Sequence, residues 1–304
     1  MKMKKQWAVC FAAAMGLVAF VGCSHSQSIK LANEMTFSLD NVSEITISYD
    51  EEQVTFYEAD GDTLTIREYM TEKKSSYNAK VEQSGGSIQI SEGGKPLFKK
   101  AFSRFIEVYL PPSYHEDLII TTTDGGIDAS GLELFLHALR IDSTAGVVQL
   151  NAVAAEDIHL STTDGRIEAG CLSADAIRID TTSGDFFCEK LDGNVTYTTT
   201  SGNGDILSAI GSGSYRADQS GDLHVVYAEV TGDLSFYNKN DDIHVTLPAD
   251  LEFIFEATTK NGMVSTAFPE YVSTEGRTSS GTIGGHPTVT VKMETNHGNI
   301  EVKQ

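Results

Sequence analysis

Carboxylates beside glycine turns are the side chains of this sequence that could do chemistry. Asp185, Asp222 and Asp242 each come directly after a turn residue, and Asp124 and Asp164 come directly before one. Stacked turns could present such carboxylates to calcium, and a pair about 5–10 Å apart could cleave a polysaccharide. Aspartate is also a preferred turn residue. Since the turns are uniform and leave no long loops to wall a cleft, we expect turn residues and no enzyme, with calcium as the one cofactor left open.

Histidine offers a second kind of metal ligand. His224 and His244 both lie three residues after a turn residue in neighbouring repeats, so they should lie side by side on the outer face. Two imidazoles without a third ligand make a weak metal site. The sequence also lacks the HExxH, GxSxG, GxxxxGK[ST] and helix-opening GxGxxG motifs. No catalytic residue is predicted, and the weak metal candidates are Asp185, Asp222, Asp242, His224 and His244.

The chain has 4 cysteines, of which Cys10 and Cys23 lie in the first 23 residues. Cys171 and Cys188 lie about one repeat apart. An exported protein can form a disulfide between such residues, and two buried thiols are the alternative. Neither cysteine belongs to a CxxC motif or has clustered histidines nearby, so a zinc site is not predicted.

The N-terminus predicts export and a lipid anchor. A basic start, Met1–Lys5, precedes an uncharged run, Trp7–Gly22, which is typical of a signal peptide and too short for the roughly 20 residues of a membrane span. The run ends in Phe-Val-Gly before Cys23. The next residues, 23–34, are polar and predict a tether.

The end of this run resembles the lipobox of bacterial lipoproteins, with Phe20 where leucine is usual. The resemblance implies that residues 1–22 are removed and that the thiol of Cys23 is acylated. Acyl chains on Cys23 would then hold the protein on the extracytoplasmic face of a bacterial membrane.

The charge balance excludes one class of partner. The chain carries 43 acidic and 22 basic residues, for a net charge of −21, and losing Lys2, Lys4 and Lys5 with the signal peptide makes the balance more negative. Phosphate contacts need Lys and Arg, so a nucleic-acid partner is excluded. Anionic lipid or wall polymer would need a bridging cation.

An internal repeat dominates the chain beyond residue 106. A turn of the form Thr/Ser-x-Gly-x-Ile/Val recurs with a period of about 19 residues. Apolar residues keep a fixed phase to it, seven and five positions before the turn residue and two after it, so each pair shares one strand face. Stacked strand–turn–strand units bury a core that one unit cannot bury alone. The turn residues are Gly125, Gly146, Gly165, Gly184, Gly202, Gly221, Asp241, Gly262, Gly281 and Gly298.

The repeat also sets expectations for side-chain geometry. The apolar frame breaks before Gly221 and Gly281 and after Gly202. Surface tyrosines such as Tyr109 and Tyr114 show no periodicity typical of a carbohydrate platform, and Tyr197 falls in the core phase. A ladder of inward, stacked hydroxyls is expected from Thr123, Thr144, Thr163, Thr182 and Thr200.

These patterns predict an all-β protein. We expect a right-handed β-solenoid of about ten coils over residues 106–304, continuous with irregular N-terminal β coils over residues 35–105 that cap the core. A β-sandwich also alternates strands at a spacing of 8–12 residues, but the constant phase of one turn chemistry favours the solenoid. The last residues, 300–304, directly follow a strand pattern and predict an open edge that could pair with another chain.

Two motifs support a family resemblance. Ile106–Pro111 and Ile243–Pro248 share the form Ile-x-Val-x-Leu-Pro and predict two copies of one module, while Thr181–Phe186 and Thr200–Ile206 fit a repeated Thr-x-Ser-Gly-Asp-Ile turn. Over roughly residues 35–304 the chain resembles a bacterial family of β-strand-repeat proteins, domain of unknown function 4097, which carries an adhesin label. The resemblance implies a right-handed β-solenoid and no catalytic residues.

The predicted function is a surface-displayed, non-catalytic lipoprotein that binds or scaffolds. Its partners would be the membrane, through the lipid, and a glycan or protein ligand. A polysaccharide-active enzyme on a β-helix is the first alternative. A self-associating structural protein of the envelope is the second.

Overall fold

Strands make up nearly all regular structure in residues 28–96 and 102–304, which are the residues that the computed structural model describes. The N-terminal strands are β1 (Lys30–Ser38), β2 (Glu44–Ser48), β3 (Gln53–Glu58), β4 (Thr63–Met70), β5 (Lys80–Ser84), β6 (Ser87–Ser91), β7 (Arg104–Leu110), β8 (Asp117–Thr121) and β9 (Ile127–Phe135). The central strands are β10 (Ala138–Ser143), β11 (Val148–Thr162), β12 (Ile167–Thr181), β13 (Phe186–Thr199), β14 (Gly204–Ala217) and β15 (Leu223–Asn238). The C-terminal strands are β16 (Ile243–Thr246), β17 (Phe253–Thr259), β18 (Val264–Thr266), β19 (Val272–Glu275), β20 (Thr278–Ile283), β21 (Val289–Thr295) and β22 (Ile300–Lys303).

Among the described residues, helical structure is limited to short turns. Single 3-10 turns occupy Ser75–Tyr77 and Pro269–Tyr271. No helix in the two described ranges has the length and apolar character needed to cross a bilayer.

Successive repeats stack as parallel strands from β8 to β16. Ile158 lies opposite Leu139 on one neighbouring strand and opposite Ile177 on the other, and Ile177 lies opposite Val195. All four side chains are buried in one continuous core. Each such burial contributes about 1.5–3 kcal/mol, so the driving force accumulates along the stack. The predicted all-β, solenoid-like architecture is confirmed, and its sheet is open.

A buried hydroxyl three residues before the glycine closes many of the turns. Thr162 Oγ1 accepts the N–H of Gly165 at 3.0 Å, and Thr199 Oγ1 accepts the N–H of Gly202 at 2.7 Å. The predicted hydroxyl ladder is therefore wrong by one residue. Thr123, Thr144, Thr163, Thr182 and Thr200 point outward or are half-buried. The buried hydroxyls belong to Thr122, Ser143, Thr162, Thr181 and Thr199.

The turn glycines are required by close backbone stacking. A Cβ added at Gly184 would lie 1.9 Å from the carbonyl oxygen of Gly165, and one at Gly202 would lie 2.0 Å from that of Gly184. Only Gly221 among the turn glycines has a left-handed backbone, with φ of 110°. The missing Cβ, more than the freedom of φ, explains why glycine recurs there.

The C-terminal strands do not stack in chain order. β21 and β22 lie directly against β15 and β16, and β17 and β18 pair with their far side. Ile300–Lys303 is therefore an interior strand, and the predicted open edge at residues 300–304 is wrong. The antiparallel strands β20 and β19 extend the sheet beyond β17 instead.

Gly281 is not a turn residue. It lies in the middle of β20, opposite Phe255 of the antiparallel strand β17, so the turn predicted there is wrong. The stacked turn after Asp241 is that of Gly298, and the next is that of Gly262: their added Cβ atoms would meet the carbonyl oxygens of Asp241 and Gly298 at 1.8 and 1.9 Å. The broken apolar frame before Gly281 was the sign of this departure in the sequence.

The N-terminal end has the same kind of reordering. β2 and β3 lie between β8–β9 on one side and β6–β7 on the other. Antiparallel strands close this end too, because β5 pairs with β6 and β4 pairs with β7, with β1 outside β4. Each Ile-x-Val-x-Leu-Pro motif thus begins the connection that passes over one inserted coil, β2–β3 or β21–β22.

Buried charges fix the inner side of the N-terminal strands. The side chain of Arg104 is fully buried, and its guanidinium donates to Glu52 Oε1 at 3.0 Å, to Glu92 and to the carbonyl oxygen of Tyr77 at 2.8 Å. Buried Glu68 accepts hydrogen bonds from Asn33 Nδ2 and the Ala79 N–H, both at 2.8 Å. A buried charge left without its partner is costly, so these contacts fix the positions of β4 and β7.

Candidate functional site

The turn acids form a ladder of hydrogen bonds between coils. The side-chain oxygen of Asp185 accepts the N–H of Asn203 at 2.9 Å, and that of Asn203 accepts the N–H of Asp222 at 2.9 Å. Asp222 accepts from Asp242 N–H at 3.2 Å, and Asp242 accepts from Asn299 N–H at 2.6 Å. These side chains are turn residues, as their position predicted, but they accept hydrogen bonds from the backbone of the next turn. No group of three His, Cys, Asp or Glu able to hold a metal occurs in residues 28–96 and 102–304.

The two histidines lie side by side as predicted. His224 is opposite His244 on β15 and β16. Each ring is engaged by a carboxylate of another strand: His224 Nδ1 lies 2.7 Å from Asp205 Oδ1, and His244 Nδ1 lies 3.1 Å from Glu301 Oε2. The pKa of Glu301 is lowered, first by its hydrogen bond with Lys303 and then by that with His244. The pair thus acts as two separate His–carboxylate contacts.

Cys171 and Cys188 are free thiols in the structure. Cys188 is buried, and its Sγ lies 3.1 Å from the carbonyl oxygen of Lys190. Burial raises the pKa of the Cys188 thiol to about 12, so this thiol is unreactive at neutral pH. Cys23, the predicted lipidation site, lies outside the described residues.

An outward-pointing aromatic face on β3, β4 and β7, half-buried except at Tyr57, is the feature that could bind a ligand. Side chains alternate along these strands, so Ile106 and Val108 enter the core while their neighbours point outward. The register then places outward residues opposite one another, Tyr57 by Tyr109, Arg67 by Glu107 and Tyr69 by Phe105. The aromatic face is defined by Tyr57, Arg67, Tyr69, Phe105, Glu107 and Tyr109.

The rings of this face are stacked in pairs. Tyr57 and Tyr109 have ring centroids 5.2 Å apart with an interplanar angle of 25°. Tyr69 and Phe105 lie 4.6 Å apart at 6°. The Arg67 guanidinium carbon lies 4.7 Å from the centroid of Tyr109, a cation–π distance. Since β7 lies between β4 and β3, Arg67 and Tyr57 approach Tyr109 from opposite sides.

Tyr57 ends this stack with an open side. Its side chain is 42% exposed. The next strand, β9, pairs with β3 only at Val54 and Thr55, so no paired residue of β9 covers Tyr57. A planar or apolar ligand surface could extend the order Arg67, Tyr109, Tyr57 by one more layer.

Polar groups surround the rings. Arg67 Nε donates to Glu34 Oε2 at 2.7 Å, and the Tyr109 hydroxyl donates to Glu107 Oε2 at 2.9 Å. Partial burial, followed by hydrogen bonding to Glu107, raises the pKa of Tyr69 and of Tyr109. Both hydroxyls therefore stay protonated at neutral pH and can exchange hydrogen bonds with a polar ligand.

Sequence reasoning missed this face. The spacing of Tyr109 predicts no platform, but Tyr109 lies at the centre of the aromatic face, whereas Tyr114 and Tyr197 are buried. Alternation within residues 104–110 shows that Phe105 and Tyr109 share a side. The partners Tyr57, Arg67 and Tyr69 come from strands whose pairing the sequence does not reveal.

Comparison with known proteins gives a family match. The family model described as Toastrack DUF4097 matches residues 42–303, while no curated protein matches the chain significantly. Among solved structures, a “putative adhesin” from Bacteroides fragilis has 10% identity and a TM-score of 0.45, covering 91% of this chain and 98% of its own. A “putative lipid binding protein” from Parabacteroides distasonis has 12% identity and a TM-score of 0.43, covering 89% and 96%.

Proposed function

Because the chain belongs to the Toastrack family, whose model matches residues 42–303, we propose a role that its own side chains support. In this proposal the protein is a lipid-anchored cell-surface protein that binds glycan without catalysis. The observation that carries this proposal is the aromatic face, with an exposed Tyr57 at the end of a ring stack. Such rings cover the apolar C–H face of a sugar, while the surrounding hydroxyls and charges serve its polar edge.

The charges of the face select the kind of glycan. Arg67 lies between Glu34 and Glu107, so the face together with its neighbour Glu34 is slightly acidic, in a protein of net charge −21. An acidic polymer would be repelled, which favours an uncharged glycan. The charged groups of the face are already engaged with neighbours, Arg67 with Glu34 and Glu107 with the Tyr109 hydroxyl. This arrangement suits ligand binding better than proton transfer.

The proposed display of this face depends on the anchor. β1 begins at Lys30, a few residues after Cys23, so acylation of Cys23 would hold the aromatic face close to the membrane, on its extracytoplasmic side. A right-handed rod of about ten coils, each ~4.8 Å thick, would then extend about 50 Å from it. Replacing Cys23 with alanine should move the folded protein from the membrane fraction to the soluble fraction, and unchanged membrane partition would contradict the anchor.

The glycan proposal is tested by binding of the full-length chain, purified in detergent, to a panel of neutral and acidic oligosaccharides. Tyr57→Ala should weaken binding by about threefold to tenfold, the range expected for one aromatic contact. Tyr271→Ala is the matched control, because Tyr271 is also exposed, at 54%, but lies at the other end of the stack. Saturable binding that is insensitive to Tyr57→Ala, or no binding at all, would contradict the proposal.

A further inference from the structure

The strands before the turns form one column and the strands after the turns form a second column. These two columns end unevenly at the C-terminal end of the stack. One column continues past β17 by two antiparallel strands, β20 and β19. The other stops at β18, whose one pairing among the described strands is with β22. The step leaves a groove, the C-terminal notch, which is lined in part by Thr259, Lys260, Met263, Val264, Thr274 and Arg277.

The floor of the notch is an open strand edge. The residues on either side of β18 form backbone hydrogen bonds with β22. The carbonyl oxygen of Met263 accepts the Ile300 N–H at 2.9 Å, and the Ala267 N–H donates to the carbonyl oxygen of Val302 at 3.0 Å. Backbone groups alternate in direction along a parallel strand. The N–H and C=O groups of Val264 and Thr266 therefore point away from β22, and Val264 lines the notch, so an added strand could pair with this edge.

The charge of the notch differs from that of the rest of the molecule. Its lining contains Lys260 and Arg277 and no carboxylate, although the chain has 43 acidic residues. Every other arginine of the described chain forms an ion pair with a carboxylate, whereas Arg277 forms none. Two exposed cations beside an open strand edge complement an acidic, extended chain.

We propose that the C-terminal notch docks an extended acidic segment of a partner protein, which adds to β18 as a strand and places carboxylates on Lys260 and Arg277. The strand edge supplies affinity through the backbone, and the two cations select acidic side chains. This site lies at the opposite end of the stack from the aromatic face, so the protein would hold a protein partner and a glycan at different ends.

The proposal is tested with the full-length chain and a fluorescein-labelled peptide of alternating valine and glutamate. Fluorescence anisotropy should show saturable binding, and the same peptide with lysine in place of glutamate should not bind. The double variant Lys260→Glu, Arg277→Glu should weaken binding by at least about tenfold. Lys190→Glu is the matched control, because Lys190 is an exposed lysine in the middle of the stack.

A second variant separates strand addition from simple charge attraction. Val264→Pro removes an N–H that faces the notch while leaving the bonds between β18 and β22, so it should also weaken binding by about tenfold or more; its fold is checked by circular dichroism. Absence of peptide binding overturns the proposal. So does binding that responds to the charge reversal but not to Val264→Pro, or equal binding of an oligogalacturonate, since either outcome would define an anion site without strand addition.

Discussion

The turn of this protein is built from two residues that act together, a buried hydroxyl and a glycine three positions later. The hydroxyl accepts the glycine N–H, and the glycine lets the next turn approach within contact distance. Thr199 has no exposed surface, and its Oγ1 also receives the hydroxyl of Thr181 at 2.8 Å. The hydroxyls therefore satisfy backbone groups that water cannot reach.

Removing one of these hydroxyls should destabilise the fold. We expect Thr199→Val to leave the Gly202 N–H and the Thr181 hydroxyl unsatisfied and to lower the free energy of unfolding by about 1–3 kcal/mol. Urea unfolding followed by circular dichroism measures the change. Thr200→Val is the control, because Thr200 lies next in the chain but is only half-buried; equal midpoints for the two variants would contradict the assignment.

The raised pKa of Cys188, about 12 in the folded protein, predicts its reactivity. Since an ordinary thiol ionises near pH 9, the unfolded state gains thiolate as pH rises from 9, so this residue's contribution to stability is complete below pH 9 and is lost toward pH 12. At pH 8 Cys188 should react with iodoacetamide only through unfolding, whereas half-buried Cys171 should react directly. Labelling of Cys171→Ser and Cys188→Ser distinguishes them, and rapid labelling of Cys188 in the folded protein would contradict the raised pKa.

At the level of strands, both ends of the stack are closed by inserting a coil out of chain order. The last strand in sequence, β22, lies between β16 and β18, and the first coil, β2–β3, lies between β6–β7 and β8–β9. Inserted strands have neighbours on both sides, so each contributes two ladders of backbone hydrogen bonds. The inserted coil β2–β3 and the strand β22 thereby become structural parts of the interior.

Deleting residues 300–304 should therefore open the C-terminal end. The deletion removes Ile300 and Val302, which are 0% and 1% exposed, and costs about 3–6 kcal/mol in buried apolar surface alone. Hydrogen exchange in β16 and β18 should become fast, because both strands lose their shared neighbour. Deleting Gln304 alone is the control, and unchanged protection of β16 and β18 in the longer deletion would show that β22 is not inserted.

Local pattern accounts for what the sequence could predict. Period-two alternation and glycine spacing predict the strands and their stacking, because each regular coil pairs with its neighbour in the chain, as Ile158 does with Ile177. The order of strands at the ends depends on contacts between residues far apart in the chain, such as Ile243 with Ile300, which lie 57 positions apart. The aromatic face was missed for the same reason, because Tyr69 contacts Phe105 only when the later strand β7 pairs antiparallel with β4.

The whole molecule carries an excess of negative charge on a thin, repetitive body. Its net charge is −21, and the ladder of turn acids places Asp222 next to Asp242 in adjacent coils. Repulsion among like charges opposes the compact state. Ion pairs such as Arg140 with Asp142, at 2.7 Å, lie at the surface and contribute little each.

Salt should therefore stabilise this protein. We expect the melting temperature to rise by about 2–4 °C between low and physiological ionic strength, because screening removes roughly 1 kcal/mol of repulsion. A constant or falling melting temperature would mean that surface ion pairs outweigh repulsion. Calcium chloride matched to sodium chloride in ionic strength separates screening from binding. Equal shifts of the melting temperature in the two salts would assign the turn acids to the backbone alone. Extra stabilisation at micromolar calcium would show that the ladder of Asp185, Asp222 and Asp242 also holds a cation.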